Sequence, residues 1–344
     1  MDQNSTDEFS LVSVIIVNWN GAQFLNNCLS SLKAQTYKKF EIIVIDNGSN
    51  DGSVDNLEIN WPDIRIERLK KNRGFAAANN LGTRIGKGSW IALLNNDAFP
   101  SPEWLQNLIN ASKKYPEFSF FASRLVMANK TNYIDGMGDI YHVSGIAWRR
   151  GHGKLDESHS QTAFEVFGPC AAAAFYPRAL FLQIGGFDED FYCYHEDVDL
   201  SFRLRLQGHR CLYVPEAIVK HVGSGSSGAD SDFVRYYSHR NLVWTYIKNM
   251  PSPLIWWYLP AHLIFNLISI IWFFCRGQGG VIWRAKRDAL RGLSTVLNKR
   301  REIQRIRRVK YTEIKKNMDS HWLNPYLKPY KRKEKIIQFK KESI

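Results

Sequence analysis

The strongest constraint on this chain is a pattern that repeats through its first third. A short run rich in Val and Ile ends on a polar loop, and a helical pattern follows. Val12 to Val17 runs into Asn18-Trp19-Asn20-Gly21, after which Phe24, Leu25, Cys28, Leu29 and Leu32 are spaced for one buried helix face. Glu41 to Ile45 closes on the loop from Asp46 through Asn47 and Asp51 to Ser53. Ile64 to Leu69 leads into Asn72-Arg73-Gly74 and a small-residue helix, Phe75 to Ile85. Trp90 to Leu94 stops at Asn95-Asn96-Asp97, and Ser101-Pro102-Glu103 opens the next helix with Pro in its first turn. Strands alternating with helices predict a parallel, doubly wound sheet. Ligands of such sheets bind beyond the carboxyl ends of the strands. Asn18, Asp46, Arg73 and the Asn96-Asp97 pair all fall at that edge. A dehydrogenase is excluded, because no G-x-G-x-x-G follows the first strand.

From Phe118 to Tyr176 the pattern turns irregular, as a second lobe grafted on the sheet would. Gly168-Pro169-Cys170-Ala171-Ala172-Ala173-Ala174 is a segment that something must approach closely. Carboxylates then crowd together as Asp188, Glu189, Asp190, Glu196, Asp197 and Asp199. Leu200, Phe202, Leu204 and Leu206 with Arg203 and Arg205 make a short helix that Gly208 ends, so the acids lie at its N-terminus. Acids there cap helices as readily as they do chemistry. Asp199 reads as a cap, with Arg203 one turn on as its partner. Strands at Arg210 to Val214 and Ile218 to His221 follow, then a Gly/Ser loop from Gly223 to Gly228 suited to closing over phosphate. A helix from about Asp232 to Asn249 carries Arg235, His239 and Arg240 near its start.

Asp97 at a strand end beside two Asn residues is a hard-oxygen position suited to Mg²⁺ or Mn²⁺. Taken together, the order of these motifs resembles the family 2 glycosyltransferases of the GT-A fold, in a rhamnosyltransferase-like version. The resemblance runs from about Ser13 to Asn249. Ser13 to Gly21 is similar to the family's first strand and nucleotide loop, and Asp46 to Ser53 to the segment that holds nucleobase and ribose. Asn72 to Gly82 is similar to the rhamnosyltransferase-like form. The resemblance therefore implies donor contacts from Asn18, Asp46, Asn47, Asp51, Arg73, Asn79 and Asn96. Asn95-Asn96-Asp97 stands where the family has Asp-x-Asp, with only the last carboxylate present. Asp97 and His221 are the implied ligands of Mg²⁺ or Mn²⁺. Asp197 is the implied base, with Glu196 beside it orienting the acceptor, and the implied transfer inverts the anomeric centre. Residues 1–250 would form the catalytic domain, with a nucleotide half at about 11–115 and an acceptor half at about 116–250. Residues 251–344 would be a helical membrane-associating region.

That last region is read from composition. Leu254 to Cys275 holds 22 residues without Asp, Glu, Lys or Arg, about 33 Å of helix at 1.5 Å per residue, enough to cross a bilayer. From Arg276 onward there are 21 Lys and Arg against 6 Asp and Glu, and before it 25 against 27, within a net charge of +13. A crossing would put that basic tail on the far side from a cytosolic body, against the positive-inside tendency. A peripheral or monotopic segment on the cytoplasmic face, with basic helices on anionic headgroups, is expected instead. A buried helix hairpin and a true span are the alternatives. Five cysteines without a C-x-x-C pair suit reduced thiols, and the polar Met1 to Ser10 offers no secretory signal. The expected partners are a nucleotide sugar, dTDP-rhamnose or a UDP-sugar, and a glycan or polyprenyl-linked acceptor, with self-association open. Nucleic acid is not expected. The competing readings are a catalytically weak scaffold and a nucleic-acid binder gripping phosphate with its tail.

Overall fold

The computed structural model describes residues 10–156, 161–223 and 231–321. The Gly/Ser loop after Gly223 and the end of the basic tail lie outside the described residues. The alternating first third folds as β1 (Val12–Asn18), α1 (Leu25–Lys33), β2 (Phe40–Asp46), α2 (Leu57–Asn60), β3 (Arg65–Arg68), α3 (Phe75–Ile85), β4 (Trp90–Asn95), β5 (Ala98–Pro100) and α4 (Trp104–Lys114). β1 is central and covered on both faces, hence its apolar run from Val14 to Val17. α1 turns Leu25, Cys28, Leu29 and Leu32 inward. α3 approaches the sheet closely because Gly82 faces Ile15, where a Cβ would meet a methyl at 2.4 Å.

The second lobe supplies β6 (Phe120–Met127), β7 (Lys130–Gly136), β8 (Asp139–Tyr141), β9 (Ala147–Arg149), β10 (Phe164–Val166), β11 (Ala173–Pro177), α5 (Arg178–Gln183), α6 (Glu196–Leu206) and β12 (Cys211–His221). The large sheet has the order β10-β12-β6-β11-β4-β1-β2-β3. β3, β2, β1 and β4 are parallel, as the alternation predicts. β11 then enters antiparallel between β4 and β6, so the sheet is mixed where the helical alternation stops. β12 was expected as two strands; it is one, with a register shift between Val214 and Ile218. Pro215 lies inside that irregularity, where its missing N–H costs no ladder bond. The carboxyl ends of β1, β2, β4 and β12 lie on one edge, so Asn18, Asp46, Asn95 and His221 do too.

Four helices complete the described chain after α7 (Asp232–Asn249): α8 (Leu254–Cys275), α9 (Gly279–Arg291), α10 (Leu293–Arg305) and α11 (Tyr311–Asn317). They are joined to the body. Tyr246, Met250, Leu254, Ile314 and Met318 share one apolar cluster with Phe202 and Leu206, and Trp244 Nε1 donates to Ala289 O at 2.9 Å. α8 is no buried hairpin, because Trp256 is 68% exposed, Leu267 58% and Trp272 54%. At 3.6 residues per turn, Trp256, Leu263, Ile264, Leu267, Ile271 and Phe274 share its outer side. His262, Asn266 and Ser269 turn inward, where the His262 ring stacks on Tyr246 at 4.0 Å with Nδ1 2.7 Å from Ser144 O. Lys286 of α9 donates to Asn266 Oδ1 at 2.5 Å.

Candidate active site

At the carboxyl edge the loops knit into one wall. Asn18, fully buried at the end of β1, donates to Ser53 Oγ at 2.8 Å and accepts from Asn96 Nδ2 at 2.9 Å. Asn47 accepts from Arg73 N–H at 2.8 Å and donates to Asn72 Oδ1 at 3.0 Å. Asp46 receives Ser49 N–H at 3.1 Å. Asp51 receives Ala22 N–H at 2.9 Å and Ser53 N–H at 3.0 Å. Asn79 donates to Phe75 O within α3. The wall fronts a cavity of about 430 Å³. Of the seven residues expected to touch a donor, Asn47 and Asn96 line it, beside Trp19, Asn72 and Gly74. Asn18, Asp46, Asp51, Arg73 and Asn79 do not line it.

The cavity has a cation pole. Antiparallel pairing of β5 with β12 sets His221 opposite Ala98, and His221 Nε2 then lies 3.3 Å from Asp97 Oδ1. Nδ1 of the same ring is 2.8 Å from Asp135 Oδ2. Burial opposes charge on this imidazole, but its hydrogen bonds to the Asp135 and Asp97 carboxylates outweigh that and push its pKa up to about 9. Among the described residues no three His, Cys, Asp or Glu side chains form a metal cluster. The donor set nevertheless fits a divalent ion shared with a substrate diphosphate. Asn95 Oδ1 is buried without a hydrogen-bond partner, Asn95 Nδ2 is 3.5 Å from His221 Nε2, and Asp97 supplies a carboxylate. Hard cations of this kind take few protein oxygens and complete their shell with phosphate and water.

The start of α6 also lines the cavity. Asp197 Oδ2 accepts the Ala171 N–H at 3.0 Å, and Oδ1 accepts the Val198 N–H at 2.8 Å. The small-residue segment is needed for this approach, since a Cβ on Gly168 would stand 2.0 Å from Ser201 Oγ. Burial raises the Asp197 pKa, with both N–H groups and the Arg149 guanidinium pulling the other way. Burial and the Asp197 charge push Glu196 well above the usual carboxylate range, and Glu196 Oε2 has no hydrogen-bond partner. The loop leading in is contorted. Tyr192 has φ 65° and ψ −62° with Cys193 N–H on Phe191 O at 2.8 Å, a rare form of γ-turn. Tyr194 and His195 also have positive φ, at 68° and 67°.

Asp199 is not a cap. It is fully buried, and it receives Arg203 Nε at 2.9 Å, Lys248 Nζ at 3.0 Å and Asn249 Nδ2 at 2.7 Å. Its neighbours along the chain suit a cap, but α7 brings Lys248 and Asn249 onto it from far away in the sequence. The expected Arg203 pairing is present. Asp188 caps the short turn after it, through Asp190 N–H at 3.2 Å, and also pairs with Lys248.

Three charged residues of the site escaped the sequence reading: Asp135, Asp139 and Arg149. Asp139 and Arg149 line the cavity near Asp197, and burial with the Asp197 charge pushes Asp139 well up. The signal for the two acids was the run Asp135-Gly136-Met137-Gly138-Asp139, two carboxylates flanking a Gly-Met-Gly segment.

A mixed sheet with a polar carboxyl edge, and an Asn-Asn-Asp turn, a histidine and a helix-borne acid lining one cavity, suit a nucleotide-sugar transferase. The profile of "Glycosyl transferase family 2" matches residues 13–184, and the chain belongs to that family. It is 26% identical over 277 residues to the N-acetylglucosaminyl-diphospho-decaprenol L-rhamnosyltransferase of Mycobacterium tuberculosis, covering 73% of this chain and 88% of that one. It is 28% identical over 230 residues to the O-antigen biosynthesis protein RfbC of Myxococcus xanthus, covering 64% and 18%. Among solved structures, the mannosyltransferase PcManGT of Pyrobaculum calidifontis with GDP-Man and Mn²⁺ aligns with TM-score 0.52 and 16% identity over 90% of this chain and 87% of that one. GalNAc-T7 with UDP, GalNAc and Mn²⁺ aligns with TM-score 0.59 and 18% identity over 76% of this chain and half of that one. The fold is GT-A-like.

Proposed function

We propose that this chain is an inverting, metal-dependent transferase that moves a sugar from dTDP-rhamnose or a UDP-sugar to a lipid-linked or cell-surface glycan. The observation that carries this reading is that Asp197 and the Asn95, Asp97 and His221 group line one cavity. The Asp197 carboxylate removes the proton of the acceptor hydroxyl while that oxygen bonds to the anomeric carbon. On the other side of that carbon, the bond to the diphosphate breaks and its electron pair leaves with the phosphate. A single displacement of this kind inverts the centre. Its raised pKa makes Asp197 a stronger base than an exposed carboxylate. Glu196, holding its proton, is placed to donate a hydrogen bond to the acceptor. Asp97, His221 and Asn95 Oδ1 would hold Mg²⁺ or Mn²⁺, which as a Lewis acid offsets charge on the leaving diphosphate.

The lipid-linked acceptor draws on the activity of the mycobacterial relative, whose acceptor is a decaprenol-linked sugar. It also draws on α8, the one described helix long and apolar enough to cross a membrane. Its polar inner side is bonded to the body and its outer side is apolar, so only half its girth suits lipid. That favours a helix lying in the interface on the cytoplasmic face, with exposed Arg276, Arg284, Arg287 and Arg291 at headgroup level.

The test is release of nucleoside diphosphate from UDP-, dTDP- and GDP-sugars with Mn²⁺ or Mg²⁺ and a polyprenyl-diphosphate sugar, for wild type and Asp197→Asn. Turnover of one donor, abolished by chelator and in Asp197→Asn, is expected. Full activity in Asp197→Asn would move the base elsewhere. Calorimetry showing no nucleotide-sugar binding would remove the enzymatic reading.

A further inference from the structure

We infer that Asp135 is the positioning residue of the cation pole. It fixes the ring orientation and tautomer of His221 so that Nε2, not Nδ1, faces Asp97 and Asn95. This rests on the metal-dependent reading above and assigns a role to a carboxylate that reading leaves unused.

Three observations carry it. First, Asp135 sits where β7 slips against β6: Gly136 pairs with Leu125 but Ile134 pairs with Val126, so Asp135 is the extra residue of a bulge. Bulges recur beside active sites because they re-aim a side chain. Second, the carboxylate is committed. It is 4% exposed, with Oδ2 on His221 Nδ1 at 2.8 Å and on the Arg149 guanidinium, and Oδ1 3.2 Å from His152 Nδ1. So surrounded, it does not line the cavity and serves as an anchor, not a ligand. Third, β12, which flanks β6 on the side away from β7, carries His221 as its last residue, where the chain leaves the sheet, and nothing in the ladder itself sets the ring rotamer.

The chemistry follows. A neutral imidazole has one N–H and one lone pair. With the N–H on Nδ1 donated to Asp135, the lone pair is on Nε2 and points into the cavity. Without that acceptor the ring can turn over or carry its proton on Nε2, and either change removes the lone pair from the site. Histidines that bind metal usually donate their other N–H to such a carboxylate, and losing it costs about 10- to 100-fold in affinity.

The experiment measures Mn²⁺ affinity by electron paramagnetic resonance in the presence of UDP. It compares wild type, Asp135→Ala, Asp135→Asn, His221→Gln and the double variant Asp135→Asn/His221→Gln. Asp135→Ala is expected to weaken Mn²⁺ binding about 10- to 100-fold, and Asp135→Asn, which keeps an acceptor oxygen, by less. In the His221→Gln background the Asp135→Asn change should have no further effect, since the two act as one unit. Nucleotide binding in chelator reports folding and should not change. Unaltered Mn²⁺ affinity in both Asp135 variants, or equal losses with and without His221, would overturn the inference while leaving the metal reading intact. Absence of Mn²⁺ binding in the wild type would overturn both. If Asp135→Ala does not fold, Asp135→Asn and the double variant decide alone.

Discussion

Lys299 Nζ, on α10, stands 2.5 Å from Asp188 Oδ1, in the loop that leads to the proposed base. The same ammonium reaches Asp190 Oδ2 at 2.7 Å, and Lys248 from α7 reaches Asp188 from the inside. Two helices of the C-terminal half therefore hold the approach to Asp197 by charge.

The two lysines should differ sharply in weight. Lys248 is 2% exposed and faces two buried carboxylates. Lys248→Met leaves Asp188 and Asp199 undercompensated and should cost about 3–5 kcal/mol by urea denaturation. Lys299 is one-third exposed, so Lys299→Ala should cost about 1 kcal/mol or less. Equal losses would mean that α10 carries the loop.

Acid should weaken the fold through the same group. Burial raises the Asp188 pKa, but the Lys248 and Lys299 charges outweigh it and hold the pKa below the ordinary 3.8. A depressed carboxylate pKa adds stability that is complete above the unfolded value and fades as pH falls through the folded one. The melting temperature should drop below about pH 4, and Lys299→Ala should soften the drop. A flat profile between pH 5 and 2 would contradict the network.

Asp197→Asn should lower kcat by about 10²- to 10⁴-fold with donor affinity unchanged. Burial disfavours the Asp197 charge, but Asn offers one acceptor oxygen to the two N–H groups of Ala171 and Val198, so the two effects oppose and the variant should still fold cooperatively. In the wild type, kcat/KM should rise with pH through a midpoint above the ordinary 3.8, since the base must be deprotonated. A midpoint at or below that value would sink the assignment.

Substituting Leu267 and Ile271 together by Asp on the outer side of α8 should abolish sedimentation with anionic vesicles. Neither residue supports the core, so stability should shift by no more than about 0.5 kcal/mol. Retained vesicle binding would place the membrane contact elsewhere.

The strand-helix alternation was legible because buried parallel strands leave continuous apolar runs. α3 falls where the sequence put it, and the acids of α6 stood out by their crowding. What stayed hidden depends on pairing between distant segments. The bulge that aims Asp135 exists only once β7 lies on β6. Asp199 is a cap in the sequence and an ion-pair centre in the fold, because Lys248 arrives with α7. Asn18 and Asp51 also tie neighbouring loops together through Ser53, Asn96 and Ala22, and Asn79 bonds to Phe75 within α3, contacts that polar residues at a strand end do not announce.

The backbone of Tyr192, Tyr194 and His195 has a consequence for how this protein can change. Each positive φ on a bulky residue costs about 1–3 kcal/mol, a load that glycine would relieve. A variant that gained stability by straightening this loop would be a slower one, because the bend that strains it also delivers Glu196 and Asp197 to the cavity. In this stretch, selection for a sturdier fold and selection for a faster enzyme pull in opposite directions.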